Sequence, residues 1–280
     1  MSGSADAVTP SELAGSRISS TRPRRWAVDI VRLRRFASPI ALVLLWQAAS
    51  MGGLISPRTL AAPSAVLAAT WNLTLSGELG HHLGISLARA AVGLAIGVSL
   101  GTALALLSGL SRRGEDIVDA PIQMIRTLPF LGLVPLFILW FGIGEPPKIA
   151  LIALGTTFPI YLNLFAGIRG VDVKLVEAAR VFGLDRRAQI RHVILPAALP
   201  SGLVGLRYAL GVAWLSLVIA EQINASAGIG YLINDARDFL RTDIIVVGLL
   251  VYALLGLLVD ALVRGLERRA LAWRPALLRS

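Results

Sequence analysis

The side chains able to do chemistry in this sequence are few, and they sit at the edges of long apolar runs. Arg89, Arg126 and Arg207 stand at or inside such runs. They could attract an anion; interfacial snorkelling and helix–helix hydrogen bonding are the structural roles open to the same residues. Glu221 and Asp260 are the acids nearest apolar segments, and both lie close to segment ends. Two of the three histidines, His81 and His82, are adjacent and have no acid at ligand spacing, so no metal site is expected. With no cysteine in the chain, disulfides, thiol nucleophiles and Cys-based metal sites are excluded. A phosphate-cradling loop needs Gly before Lys, but Lys148 follows Pro147 and Lys174 follows Val173. No catalytic residue, metal or cofactor is therefore expected in this chain.

The most patterned polar stretch is Glu177–Pro196, EAARVFGLDRRAQIRHVILP. Arg169, Lys174, Arg180, Arg186, Arg187 and Arg191 make the surrounding segment a basic island between the apolar runs Ile149–Ile168 and Val193–Ile219. Its residue types predict folded structure. Asp172 is a helix N-cap, Gly183 stands where a helix end needs a left-handed residue, and Asp185 caps a second helix running into Pro196. Ala178 and Ala179 leave a patch with little side chain, which another protein's surface could approach closely.

This stretch resembles the signature loop of ABC-importer permeases: Glu-Ala-Ala, three residues, Gly, nine residues, Ile, one residue, Leu-Pro. Glu177, Ala178, Ala179, Gly183, Leu195 and Pro196 match in register, with Val193 where Ile is usual. The resemblance implies that the loop is a coupling helix docking into an ATP-hydrolysing subunit. Three further segments are similar to the nitrate/sulfonate/taurine branch, with aliphatic-sulfonate permeases the nearest. They are the stretch around Gly77, His82, Ser86, Leu87 and Arg89, then IRTLPFLGLVPLFILWFGIG, then AEQINASAGIGYLI with Glu221, Gly228, Gly230, Tyr231 and Leu232. Together they cover about residues 60–260. The family implies a homodimer of this chain, a cytosolic ABC ATPase dimer that binds Mg-ATP, and an extracytoplasmic solute-binding protein. It implies import of an aliphatic sulfonate or a related small anion, such as taurine, nitrate or a pyrimidine-type precursor. An ion-gradient-driven secondary transporter is the other class to weigh. Such a carrier would place acids near mid-membrane, and the first four apolar segments hold none there.

The elements that must position these residues follow from composition. The 280 residues are 55% hydrophobic with mean hydropathy +0.72 and net charge +10. The apolar excess falls in runs of about 20 residues, the length that crosses a bilayer. The expectation is an all-α polytopic membrane protein with six spans: Ser38–Leu54, Ala88–Leu110, Pro121–Phe141, Ile149–Ile168, Val193–Ala220 and Ile244–Val263. Residues 37–264 form the permease domain, with the coupling loop at 169–192. Before it come a disordered tail, 1–24, and a basic amphipathic helix, 25–36, suited to an anionic leaflet of membrane lipid; residues 265–280 form a basic tail.

Gly93, Gly97 and Gly101 recur at helical spacing, a stripe that permits close helix packing unless the glycines are merely tolerated. Pro129 and Pro135 interrupt the third span, which becomes a candidate lining of the translocation pathway together with Arg126 and Glu221, or a kink serving packing. With both termini inside, twenty basic residues fall on the inner side and four, Arg58, Lys148, Arg237 and Arg241, on the outer. That asymmetry predicts cytosolic termini and a cytosolic signature loop in a bacterial plasma (inner) membrane. The positive charge is thereby explained as an orientation signal, without nucleic acid.

Overall fold

A computed structural model describes residues 25–223 and 225–270, with side chains from residue 37 onward except Leu131. The expected tail 1–24, Asn224 and the last ten residues of the basic tail lie outside the described residues. The described residues form helices joined by turns and short loops: α1 Arg25–Met51, α2 Pro63–Leu75, α3 Glu78–Gly109, α4 Arg112–Ile125, α5 Leu133–Phe141, α6 Glu145–Arg169, α7 Val173–Val181, α8 Arg186–Gln189, α9 Leu195–Gln222, α10 Ile229–Asp238 and α11 Thr242–Ala270. A π-turn, Ile190–Ile194, joins α8 to α9 without a break.

Among the described residues, four helices are long and apolar enough to cross a membrane: α3, α6, the run Arg186–Gln222, and α11. The apolar part of α1, Ala37–Met51, is shorter, and the same helix continues back through the basic segment 25–36. The third expected span is two pieces. α4 carries Pro121 and ends at Ile125; after it the chain turns through Arg126–Pro129 and a 3₁₀ turn, Phe130–Gly132, into α5. Pro135 is not part of the interruption. It occupies the first turn of α5, where its missing N–H has no intrahelical partner to lose.

α3, α6 and α9 form the central layer, and small residues set their spacing. Added Cβ atoms at Gly93 and Gly101 would come within 2.6 Å of Ile152 and the Thr157 carbonyl, and one at Gly97 would run into the Thr156 hydroxyl. On the other face of α6, Cβ atoms at Gly155 and Gly167 would meet Ser216 and Ser201 of α9 at 2.8 and 2.6 Å. The glycine stripe is thus a packing seam against α6, where close approach of backbones replaces the hydrophobic drive that lipid cannot supply. Tyr161, fully buried, donates to Asp119 of α4 at 2.9 Å and so ties α6 to the start of the broken span. A separate apolar cluster gathers Val66 and Leu73 of α2, Leu232 and Ala236 of α10, and Ile244 and Val247 of α11.

Candidate functional site

The signature loop folds as a helix–glycine–helix unit. The Asp172 carboxylate accepts from the Lys174 N–H at 2.9 Å and opens α7. At the far end Gly183 has φ +80; its N–H donates to the Arg180 carbonyl and the Leu184 N–H to the Ala179 carbonyl, both at 3.0 Å. These are the paired bonds of a Schellman cap, and they need the left-handed residue at Gly183. Asp185 then accepts from the Ala188 N–H at 2.9 Å and starts α8. The helix continues through the π-turn, whose wide register ends where Pro196 enters the first turn of α9. Leu195 and Pro196 are half-buried and set the angle between loop and span.

The two signature alanines divide. Ala178 is exposed, while Ala179 is buried beneath the loop, so the open patch is narrower than the sequence suggests. Instead α7 presents large apolar side chains: Val181 is 85% and Phe182 83% exposed, with Val173 and Leu175 also exposed. Glu177 is exposed among them and has no ion-pair partner among the described residues. The exposed face of α7 is therefore apolar, with one unpaired carboxylate.

The residues placed on the pathway do not gather in one site. Arg126 ends α4 with its side chain exposed, and Pro129 and Pro135 are exposed on the two sides of the 3₁₀ turn. Glu221, by contrast, is enclosed, at the end of α9 away from the signature loop. Its carboxylate accepts from the Ser86 hydroxyl at 2.7 Å, Arg89 Nη1 at 2.8 Å, the Gly230 N–H at 2.9 Å and the Tyr252 hydroxyl at 3.2 Å. Arg89 turns its other edge to Glu145, with Nε and Nη2 donating at 2.5 and 2.6 Å, and it also donates to the Ala227 carbonyl. Lys148, buried, lies 3.4 Å from Glu145. The His82 imidazole accepts from the Gly228 N–H at 3.0 Å, and Ser86 from that of Ile229. The cluster pairs the buried charges Arg89, Lys148 and Glu221 and joins α3, α6, α9, α10 and α11. It leaves Arg89 no free fork for an anion. Glu221 in this arrangement is a clamp within the protein and faces no open space.

Sequence reasoning did not bring Ser86, Glu145 and Tyr252 to this cluster. The signal available was weak but physical: the span assignment puts Arg89, Glu145, Lys148 and Glu221 at the same membrane face, where opposite charges inside a low-dielectric protein must pair.

A model of the family described as binding-protein-dependent transport system inner membrane component matches residues 93–271. The chain is 51% identical over 257 residues to the putative aliphatic sulfonates transport permease protein of Escherichia coli (strain K12), covering 92% of this chain and 97% of that one. It is 48% identical to the protein of the same description from Bacillus subtilis (strain 168), covering 84% and 86%. It is 35% identical to the taurine transport system permease protein of E. coli, covering 94% and 98%. Among solved structures, an amino acid ABC transporter crystallised with histidines aligns at TM-score 0.60 and 22% identity, covering 72% of this chain and 96% of that one, a likeness of fold.

Proposed function

The chain belongs to the binding-protein-dependent transport system inner membrane components, and on that premise we propose that this ABC-importer permease carries aliphatic sulfonates inward, powered by a separate ATPase. The observation that carries the reading is the signature loop: a rigid, doubly capped unit whose exposed Phe182, Val181 and Glu177 offer a groove-filling face. The partner ATPase dimer binds Mg-ATP and takes α7 into a groove on each subunit. Two copies of this chain enclose the route, with the broken span at Arg126, Pro129 and Pro135 lining it and the Arg89–Glu221 cluster bracing the outer ends of the neighbouring helices. An extracytoplasmic solute-binding protein delivers the anion. The termini and signature loop are cytosolic in this reading, which the excess of basic residues on that side supports. Similarity to permeases named for aliphatic sulfonates, at higher identity than to those named for taurine or nitrate, favours a sulfonate cargo.

The test is reconstitution. The permease, its ATPase and its binding protein in liposomes should hydrolyse ATP faster when an alkyl sulfonate is supplied, and should accumulate it. Taurine and nitrate serve as competing cargoes. The permease alone should hydrolyse no ATP and move no sulfonate under a proton or sodium gradient. Gradient-driven uptake by the lone chain would overturn the reading in favour of a secondary transporter.

A further inference from the structure

Behind the signature loop, between it and the ends of α3 and α6, lies a cavity of about 480 Å³ with Arg169, Arg180 and Arg186 in its wall. Its arginines are unequally committed. Arg169 pairs with Glu115 and lies over the Phe165 ring. Arg186 spends one donor on the Leu110 carbonyl at 3.0 Å, neutralising the carbonyl end of α3. Arg180 has no ion-pair or hydrogen-bond partner among the described residues, although each guanidinium carries five donors. On the membrane side the wall turns apolar with Ile168, Ile190 and Ile194.

We propose that this cavity binds a phosphate-class oxyanion at the inner end of the spans, held by Arg180 and the uncommitted donors of Arg186. Arg169, paired through one nitrogen with Glu115, adds positive potential to the same wall. Two planar guanidiniums lining one pocket match the oxygens of a phosphate better than single ammonium groups would. The isoleucine floor suits the glycerol end of a phospholipid, while a free anion needs only the polar wall. An anionic headgroup and free phosphate thus share the chemistry. Either occupant braces α7, which carries Arg180, against α8 and the ends of α3 and α6. The test of this site is independent of cargo and coupling, because it is read by binding to the permease alone.

The full-length permease is to be purified into nanodiscs of phosphatidylglycerol mixed with phosphatidylcholine, and of phosphatidylcholine only. Native mass spectrometry should find phosphatidylglycerol retained on the chain if the source is lipid. If the source is free anion, inorganic phosphate should raise the thermal unfolding temperature in phosphatidylcholine discs while sulfonate-free chloride at equal ionic strength does not. In whichever arm responds, R180Q should weaken binding roughly tenfold, the loss of one charge-assisted contact pair. Arg180 is exposed and unpartnered, so R180Q should fold as the parent does, which its unfolding temperature in phosphatidylcholine discs checks. R241Q, on the opposite face, should bind as the parent does. No response in either arm, or responses equal in the parent and R180Q, would overturn the site.

Discussion

Arg89 Nη1 lies 2.8 Å from Glu221 Oε1 across 132 residues of sequence, with the arginine side chain 4% exposed and the carboxylate wholly enclosed. The pair stands at the centre of a cluster that also holds Glu145, and removing the cation would leave two carboxylates without it. Breaking a buried pair from one side costs about 3–5 kcal/mol, mostly from the charge left behind. Arg89→Ala should therefore lower the detergent unfolding temperature sharply and reduce recovered folded protein. Glu221→Gln should cost less, because the amide keeps an acceptor for Ser86 and Gly230 while Arg89 keeps Glu145. Equal and mild losses in the two variants, measured side by side, would contradict a dry cluster.

Much of the signature loop was legible because its determinants are local. Asp172, Gly183 and Asp185 act on backbone groups within five residues of themselves, and cap chemistry is specified at that range. The glycine stripe was legible as a packing seam, but not its partner helix. What stayed hidden is long-range. Arg89 on α3 and Glu221 on α9 meet only once those helices are packed together, so each alone reads equally as snorkelling, pathway or pairing. The apolar span was expected from Ala88, and the helix that carries it begins earlier, at Glu78; Gly80, His81, His82 and Gly84 depress hydropathy in its first turns, and of these His82 is buried, accepting from the Gly228 N–H. The break in the third span was expected at two prolines, yet only Pro129 lies at it. A proline's effect depends on its position within the turn, which periodicity does not reveal.

The glycines of α3 should separate by what faces them. At Gly97 a methyl would run into Thr156 and come within 2.5 Å of the Ala153 carbonyl, so Gly97→Ala should destabilise by about 1–3 kcal/mol through overpacking. At Gly84, in the same helix, nothing lies within 4 Å of an added Cβ. Gly84→Ala should stabilise by about 0.5–1 kcal/mol through reduced backbone freedom in the unfolded chain. Unfolding temperatures in one detergent measure both; a stabilising Gly97→Ala would remove the seam from the account.

In the loop, Gly183→Ala forces a methyl into φ +80, a cost of about 1–2 kcal/mol, and should tilt α8 relative to α7. Gly183→Asn should be milder, since Asn visits that conformation more readily. Glu177→Lys and Gly183→Asp should leave membrane insertion intact yet abolish uptake, by uncoupling or releasing the ATPase. If Glu177 is paired and partly desolvated in the ATPase groove, breaking that pair costs about 2–5 kcal/mol. Phe182→Ser should weaken ATPase co-purification without lowering the permease's own unfolding temperature, because the ring is 83% exposed in the single chain. Wild-type ATPase recovery and transport in all these variants would reduce the loop to a connector.

The broken third span offers the most direct test of the translocation route. α5 buries Val134 and Phe137 against Leu151 and Ala220, while Thr127, Leu128, Pro129 and Pro135 are exposed around the break. If that surface faces water between two copies of the chain, its exposure is functional and not lipid contact, since a chain segment without regular hydrogen bonding is tolerated at membrane depth only against protein or water. Because the sequence contains no cysteine, single substitutions from 127 to 140 report cleanly. A charged, membrane-impermeant thiol reagent should modify Cys at 127, 128 and 135 and spare 134 and 137, and an excess of alkyl sulfonate with the binding protein and ATP should slow the reaction at the labelled positions. Uniform protection along the whole stretch would place this surface in lipid, and the route would have to run along another pair of helices.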